Sequence, residues 1–343
     1  MQLFCVEQIL TVNASTYHRI TVLISLDKPG LVSGYVSFHN STDLSAWQSV
    51  RLPIYCLNGR PGPTTLVMGG LHGDEYEGPV AIESLANTLD TDQLVGRLIL
   101  LPAANVMAIM AGTRLTPDDG LNMNRVFPGN PNGSITQRIA DWITQTLVPV
   151  SDHVVDLHSG GRSLNFAPSI LLHEVPGEAM KVAKLAAIAF GAPFTVLIHE
   201  DHADVMIDAV VEKLGKVMIA SELGGSGIIT HQTVTLATQG LSRMVAALGH
   251  LSIQESLEPS RLVRLPSSDT YLVSEDVMVF APALSLGAFV RQGDTVGHGH
   301  FLDRVDCKPR TYTAPHDGWA ICLAGQDLTR RGDVIAIVAE SVQ

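Results

Sequence analysis

The sequence predicts an α/β protein, with a three-layer α/β/α sheet domain over residues 1–252 and a small all-β domain over 253–343. Three observations predict it. Short continuous apolar runs alternate with helix-length segments, the grammar of a largely parallel sheet covered on both faces. Glycines and ionisable residues gather where those apolar runs end. Near "LSIQESLEPS" the pattern changes to short alternating strands broken by Gly, Asp and Pro.

Taken in order, "RITVLISL" and "SVRLPIYCL" read as strands, although where residues 1–45 sit is not fixed by pattern. "PTTLVMGG" is a buried strand, and "GPVAIESLANTL" a helix with proline near its start. "GRLILLPAAN" is the second buried strand. "SITQRIADWITQTLV" is a helix that Ser134 can cap. "SDHVVDLHSGG" and "GKVMIASELGG" are further strands; "GEAMKVAKLAAIAFG" and "TVTLATQGLSRMVAALGHL" are the helices that follow strands. Beyond the boundary, "TYLVSEDVMVFAP", "GAFVRQGDTVG" and "GWAICLAGQDL" supply the β domain.

Composition narrows the function. A chain of 343 residues, 46% hydrophobic and 16% charged, can bury a substantial core and is not mainly disordered. A formal charge of −12 argues against a nucleic-acid partner, which would need clustered Lys and Arg. No apolar run is long enough for a bilayer, so no membrane association is expected. "MQLFCVEQILTV" has no basic leader and carries Glu7, so a cytoplasmic location is expected. Cys5, Cys56, Cys307 and Cys322 lack CxxC spacing and read as reduced thiols.

In doubly wound sheets, ligands gather beyond the carboxyl ends of strands. There the chain has His72 and Glu75, then Asp156 and His158, then Glu222. An isolated H-x-x-E is an ordinary feature of a solvated loop. A second histidine at a neighbouring strand end turns it into a set suited to zinc, with three protein ligands and one position left for water. Gly69, Gly70, Gly73, Gly160 and Gly161 allow close backbone approach around it.

Four motifs, "GGLHGDEYEG", "GLNMNRVFPG", "DLHSGG" and "SELGG", resemble in order those of the succinylglutamate desuccinylase/aspartoacylase family in the zinc carboxypeptidase clan. The resemblance covers about residues 45–250. It implies a zinc-carboxypeptidase-like fold, one Zn2+ per chain held by His72, Glu75 and His158, and Glu222 as the catalytic carboxylate. It also implies that Asn124 and Arg125 grip the substrate carboxylate. Within the family, the run "SAWQSVRLPIYCLNGRPGPTTLVMGGLHGDEYEGPVAI" looks most like the deacetylases of N-alpha-acetyl-2,4-diaminobutyrate in ectoine breakdown. The activity implied is hydrolysis of a small N-acyl amino acid; succinylglutamate and acetylaspartate are rival substrates. A peptidase and a metal-free binding protein are more distant readings.

Arg114 in "AGTRLTPDDG" is a candidate catalytic cation opposite the metal, or else a surface charge. Asp156 lies two residues before His158, on the same side of a strand, and either fixes that histidine's tautomer or is an ordinary strand-end acid. Asp74 and Glu77 read as turn and helix-start residues. Glu200, Asp201 and Asp204 are eligible to receive a substrate amine. His199, His202, His298 and His300 read as solvated loop histidines. The C-terminal segment resembles a biotinyl/lipoyl-like fold, but Lys308 in "DCKPR" lacks a carrier context, so a structural cap is expected. The chain's own association, monomer or homodimer, is not written in any pattern.

Overall fold

The computed structural model describes residues 20–22, 24–43, 45–198, 203–252, 260–265 and 270–342. Its first strands are β1 (Ile20–Val22), β2 (Gly30–His39), β3 (Ser49–Asn58) and β4 (Arg60–Gly69). Then come α1 (Glu77–Thr88), β5 (Val95–Leu101), α2 (Val106–Ala111), α3 (Ile135–Trp142), β6 (His153–His158), β7 (Leu164–Phe166) and β8 (Ser169–His173). They are followed by α4 (Glu178–Phe190), β9 (Phe194–Ile198), α5 (Ile207–Lys213), β10 (Val217–Glu222), α6 (His231–Ala247) and β11 (Arg261–Leu265). Cys5, the segment His199 to His202 and residues 253–259, where the sequence puts its domain boundary, lie outside the described residues.

The centre of the sheet runs β5-β4-β6-β10, all parallel, as the sequence predicts. Its flanks differ from the expectation of a largely parallel sheet. The hairpin β2–β3 joins β5 antiparallel, and β8 joins β10 antiparallel before β9 and β11 resume parallel pairing. β2, "GLVSGYVSFH", escapes sequence reading because glycines and serines interrupt its apolar alternation. Helices α1, α4 and α6 bury Ile82, Ala186 and Leu241 on one face, while α3 and α5 bury Ile139, Trp142, Ile207 and Val211 on the other. These are the three layers. The backbone N–H of Ser134 donates to Gln137 Oε1 at 3.1 Å at the start of α3, and Thr230 Oγ1 accepts from the N–H of Thr233 at 3.1 Å at the start of α6.

The C-terminal strands are β12 (Tyr271–Val273), β13 (Met278–Pro282), β14 (Phe289–Val290), β15 (Thr295–His300), β16 (Arg310–Thr313), β17 (Gly318–Ala324), β18 (Leu328–Thr329) and β19 (Val334–Ser341). β16-β15-β13-β18 form a separate four-stranded sheet. Phe280, Val296 and Tyr312 from it share one core with Leu323, Ile335 and Val338 from β17 and β19. β19 also pairs with β11, so the main sheet continues without a break into this part of the chain. A second apolar seam, Phe194, Val196, Val263, Ile321, Cys322 and Ile337, seals the junction. Cys56, Cys307 and Cys322 are free thiols. No helix among the described residues is long and apolar enough to cross a membrane.

At the end of the sheet away from the glycine-rich strand ends, β4, β5, β6 and the end of α6 meet through polar groups. His250, just after α6, donates from Nδ1 to the Val95 carbonyl at 2.8 Å, because a carbonyl can only accept. In the neutral ring Nε2 therefore accepts from Thr65 Oγ1 at 2.7 Å, which leaves Thr65 to accept from His153 Nδ1 at 3.0 Å. Burial pushes His250 down to about 4 and also lowers His153. Both rings fold neutral and recover an ordinary pKa of about 6.5 when the chain unfolds. Stability from this network is complete above about pH 6.5 and is lost progressively as pH falls towards 4. For His250 alone the loss is on the order of 3 kcal/mol. Thermal unfolding midpoints should drop across that window in the native chain and drop less in His250→Gln. Parallel pH profiles for the two proteins would exclude His250 as the cause.

Candidate metal and catalytic centre

The three central strands deliver their side chains to one end of the sheet. β4 stops at Gly69, and Gly70 turns the chain in the left-handed region at φ +69°. The next turn passes so close to α2 that a Cβ on Gly73 would lie 1.9 Å from the backbone carbon of Ala108. Only glycine allows that approach, and it sets where His72 and Glu75 project. Asn105 caps α2 by accepting from the N–H of Ala108, and its amide donates to the carbonyl of Leu71 at 3.2 Å and to Thr116 Oγ1 at 2.9 Å. One buried side chain thus fixes both the His72 turn and the loop that carries Arg114.

His72, Glu75 and His158 converge as the sequence predicts. Their candidate ligand atoms all lie within 4.8 Å of one another, and all three residues are buried. His72 Nδ1 is 2.8 Å from Glu75 Oε1, and His158 Nδ1 is 2.9 Å from Glu75 Oε2. The outer ring nitrogens are also held. His158 Nε2 donates to Asp156 Oδ2 at 2.8 Å, and His72 Nε2 to Asn122 Oδ1 at 3.0 Å. Both Nδ1 atoms face the Glu75 carboxylate, which accepts from them when the rings are protonated, and the outer contacts fix the orientation of each ring. Asp156 thus contacts the outer nitrogen of His158, where an orienting carboxylate would sit. Asn122 was missed by sequence reasoning, although it lies in the same "GLNMNRVFPG" stretch as Asn124; its own backbone role, accepting from the N–H of Asn124 at 2.9 Å, is what aims it.

The charge balance favours a cation here. Burial by itself would raise the pKa of Glu75, but the positive charges of His72 and His158 and their hydrogen bonds hold it well below the usual carboxylate range. Burial would likewise lower His158, yet the charges of Asp156 and Glu75 raise it well above an ordinary imidazole. Glu222 closes the third strand in register with His158 on β6. Its Oε2 is buried without a hydrogen-bond partner. Burial first, then the negative charge of Glu75, pushes it up to about 8. Three carboxylates thus surround two imidazoles, and among the described residues a guanidinium reaches them from Arg114, whose Nη1 donates to Glu75 Oε1 at 3.2 Å. Two imidazole nitrogens and a carboxylate are a donor set that fits a borderline divalent ion such as zinc.

Asn124 and Arg125 sit in one turn of 3-10 helix, Met123–Arg125, beside this centre. Asn124 is buried and its Oδ1 accepts from the N–H of Ile207 at 3.4 Å, which leaves its amide nitrogen available. Arg125 is exposed and donates to the Asn124 carbonyl at 2.8 Å. Arg162, unremarked in the sequence, has no ion-pair partner among the described residues. A Cβ on Gly112 would meet both its Nη2, at 3.4 Å, and the Tyr76 hydroxyl, at 3.2 Å. Asp204 is exposed and paired with Lys213, and His298 and His300 on β15 have no third metal-ligating residue among the described ones. Lys308 is exposed.

The family model described as "Succinylglutamate desuccinylase/Aspartoacylase catalytic domain" matches residues 61–248. The N-alpha-acetyl-L-2,4-diaminobutyric acid deacetylase of Halomonas elongata is 36% identical over 327 residues, covering 94% of this chain and 96% of that protein. The product-bound structure of the ectoine utilization protein EutE from Ruegeria pomeroyi is 38% identical with a TM-score of 0.90, covering 94% of this chain and 99% of the other. A succinylglutamate desuccinylase structure from Silicibacter sp. TM1040 is 37% identical, also with a TM-score of 0.90, covering 94% and 98%.

Proposed function

From the premise that this chain belongs to the succinylglutamate desuccinylase/aspartoacylase family, we propose that it is a zinc-dependent amidohydrolase acting on N-alpha-acetyl-L-2,4-diaminobutyrate. The products would be acetate and 2,4-diaminobutyrate, within ectoine catabolism. The single observation that carries the reading is the meeting of His72, Glu75 and His158 beside Glu222 at adjoining strand ends. The names of the Halomonas and Ruegeria relatives support the substrate.

His72, Glu75 and His158 would hold one Zn2+. Bound there, the ion supplies Lewis-acid activation of water and of the scissile carbonyl. The chain's own residues supply the rest. Glu222 takes the proton of the attacking water on its carboxylate and delivers it to the departing amine nitrogen. Burial and the negative charge of Glu75 raise its basicity, and a divalent ion nearby would counter part of that rise by favouring the ionised form. Arg114 stabilises the developing oxyanion of the carbonyl. Arg125 forms a bidentate pair with the substrate carboxylate, and the amide of Asn124 adds a directed hydrogen bond. The segment after residue 252 narrows access to the site, a reading supported by the pairing of β17 with β7, which begins six residues beyond His158.

A specific observation keeps a second reading in view, namely the relative described as a succinylglutamate desuccinylase. A panel of acetylated, formylated and succinylated amino acids, scored for free amine, separates them. Release from N-alpha-acetyl-2,4-diaminobutyrate well above that from the others is the expected result. Preference for succinylglutamate would replace the proposed substrate, and no release from any of them by the zinc-loaded chain would sink the enzyme reading.

A further inference from the structure

Two acidic residues of "HGDEYEG", Asp74 and Glu77, lie beside the metal-ligand candidate Glu75 and read in the sequence as turn and helix-start residues. The structure gives them other work. Both are buried, and neither is spent on the start of its own helix or turn alone. Asp74 Oδ2 accepts from the N–H of Arg162 at 2.9 Å. Glu77, in the first turn of α1 and 2% exposed, accepts from Ser159 Oγ at 2.7 Å through Oε2. Ser159 directly follows His158, and its backbone N–H donates to Glu75 Oε2 at 3.2 Å. The contacts therefore run in series. Glu77 holds the hydroxyl of Ser159, and Ser159 holds the carboxylate of Glu75 while fixing the turn that carries His158.

We propose that Glu77 is a positioning residue for metal binding. Through Ser159 it locks the strand end bearing His158 against the turn bearing His72 and Glu75, so that three ligands brought from distant parts of the chain are aligned before the ion arrives. The inference rests on the ligand set proposed above and extends it to a residue that touches neither ion nor substrate. A purely structural carboxyl at this place would contribute to folding without favouring any orientation of Glu75. A side chain held only by its own covalent stem samples several rotamers, and a ligand that must be ordered on binding costs affinity. Glu77 and Ser159 remove that freedom in advance.

Zinc affinity, measured by competition with a chromophoric chelator on the full-length chain, tests the proposal. Glu77→Ala should weaken zinc binding ~10–100-fold, the range seen when groups that orient ligands are removed. Ser159→Ala removes the same hydroxyl link with a smaller change in volume and should weaken binding in the same direction. Combining the two should add little, because both break one chain of contacts. Glu77→Gln retains a carbonyl oxygen to accept from Ser159 and should recover most of the affinity. The thermal midpoint of the metal-free protein is measured alongside. Zinc affinity within two-fold of the native chain in both Ser159→Ala and Glu77→Ala overturns the proposal, whatever happens to the midpoint. Failure of the native chain itself to bind zinc is a different outcome, since it removes the ligand set and with it the function proposed above.

Discussion

Glu222→Gln should keep its zinc and lose turnover by about 10²–10⁴-fold, the usual contribution of a positioned acid–base group. Glutamine matches the shape of glutamate but can neither accept the proton of the attacking water nor return one to the amine. The substitution also suits the site structurally. Oε2 of Glu222 is buried with no partner, so no hydrogen bond to that oxygen is broken when the carboxyl becomes an amide, and burial already favours the uncharged form there. Folding should therefore be intact or slightly improved. Steady-state kinetics with metal content measured on the same preparation decides the matter. A kcat near that of the native chain in Glu222→Gln would remove Glu222 from the mechanism, whereas loss of zinc would recast it as a residue of the metal site.

Arg114→Ala is the second large effect, expected to lower kcat by about 10²–10³-fold, which corresponds to about 3–4 kcal/mol of barrier. In the free protein the guanidinium is partly exposed and donates to Glu75. Pairing of this kind near solvent contributes little to stability, so the thermal midpoint should hardly move. The cation is far more effective where charge develops during reaction than where it already rests against a carboxylate. Arg114→Lys keeps the charge but not the planar fork and should fall between the native chain and the alanine variant. If Arg114→Ala changes KM for zinc-loaded protein while leaving kcat untouched, the guanidinium binds substrate uniformly and does not act on the transition state.

The positions of the ligands could be read from the chain because metal chemistry restricts residue type, and because parallel strands bring their carboxyl ends together wherever they lie in the sequence. That much singles out His72, Glu75 and His158 as candidate ligands, whereas the role expected of Glu222 comes from the resemblance to the family. What orients them was harder to see. Asn122 and Ser159 are small polar residues of the kind that fill any turn, and nothing in their spacing distinguishes a hydrogen bond to a ligand from one to water. Glu77 was hidden by a sound rule, since an acid at a helix start satisfies the dipole and asks for no second explanation. The sheet shows the same division. Its central parallel strands are continuous apolar runs, whereas β2 is interrupted by glycines and serines and β8 runs antiparallel to β10, a partner distant in sequence whose direction a local pattern does not carry.

The pairing of β9, β11 and β19 bears on how the chain reaches this state. β9 is five buried residues, "FTVLI", and its outer edge is covered by β11, whose own far edge is closed by β19 more than a hundred residues downstream of β9. During synthesis, the ligand-bearing strands can emerge and pair while this apolar border still waits for its neighbours. The nascent protein therefore passes through a stage with an adhesive rim, and contacts so remote along the chain are slow to form. Its solubility in that interval depends on residues that contribute nothing to the chemistry.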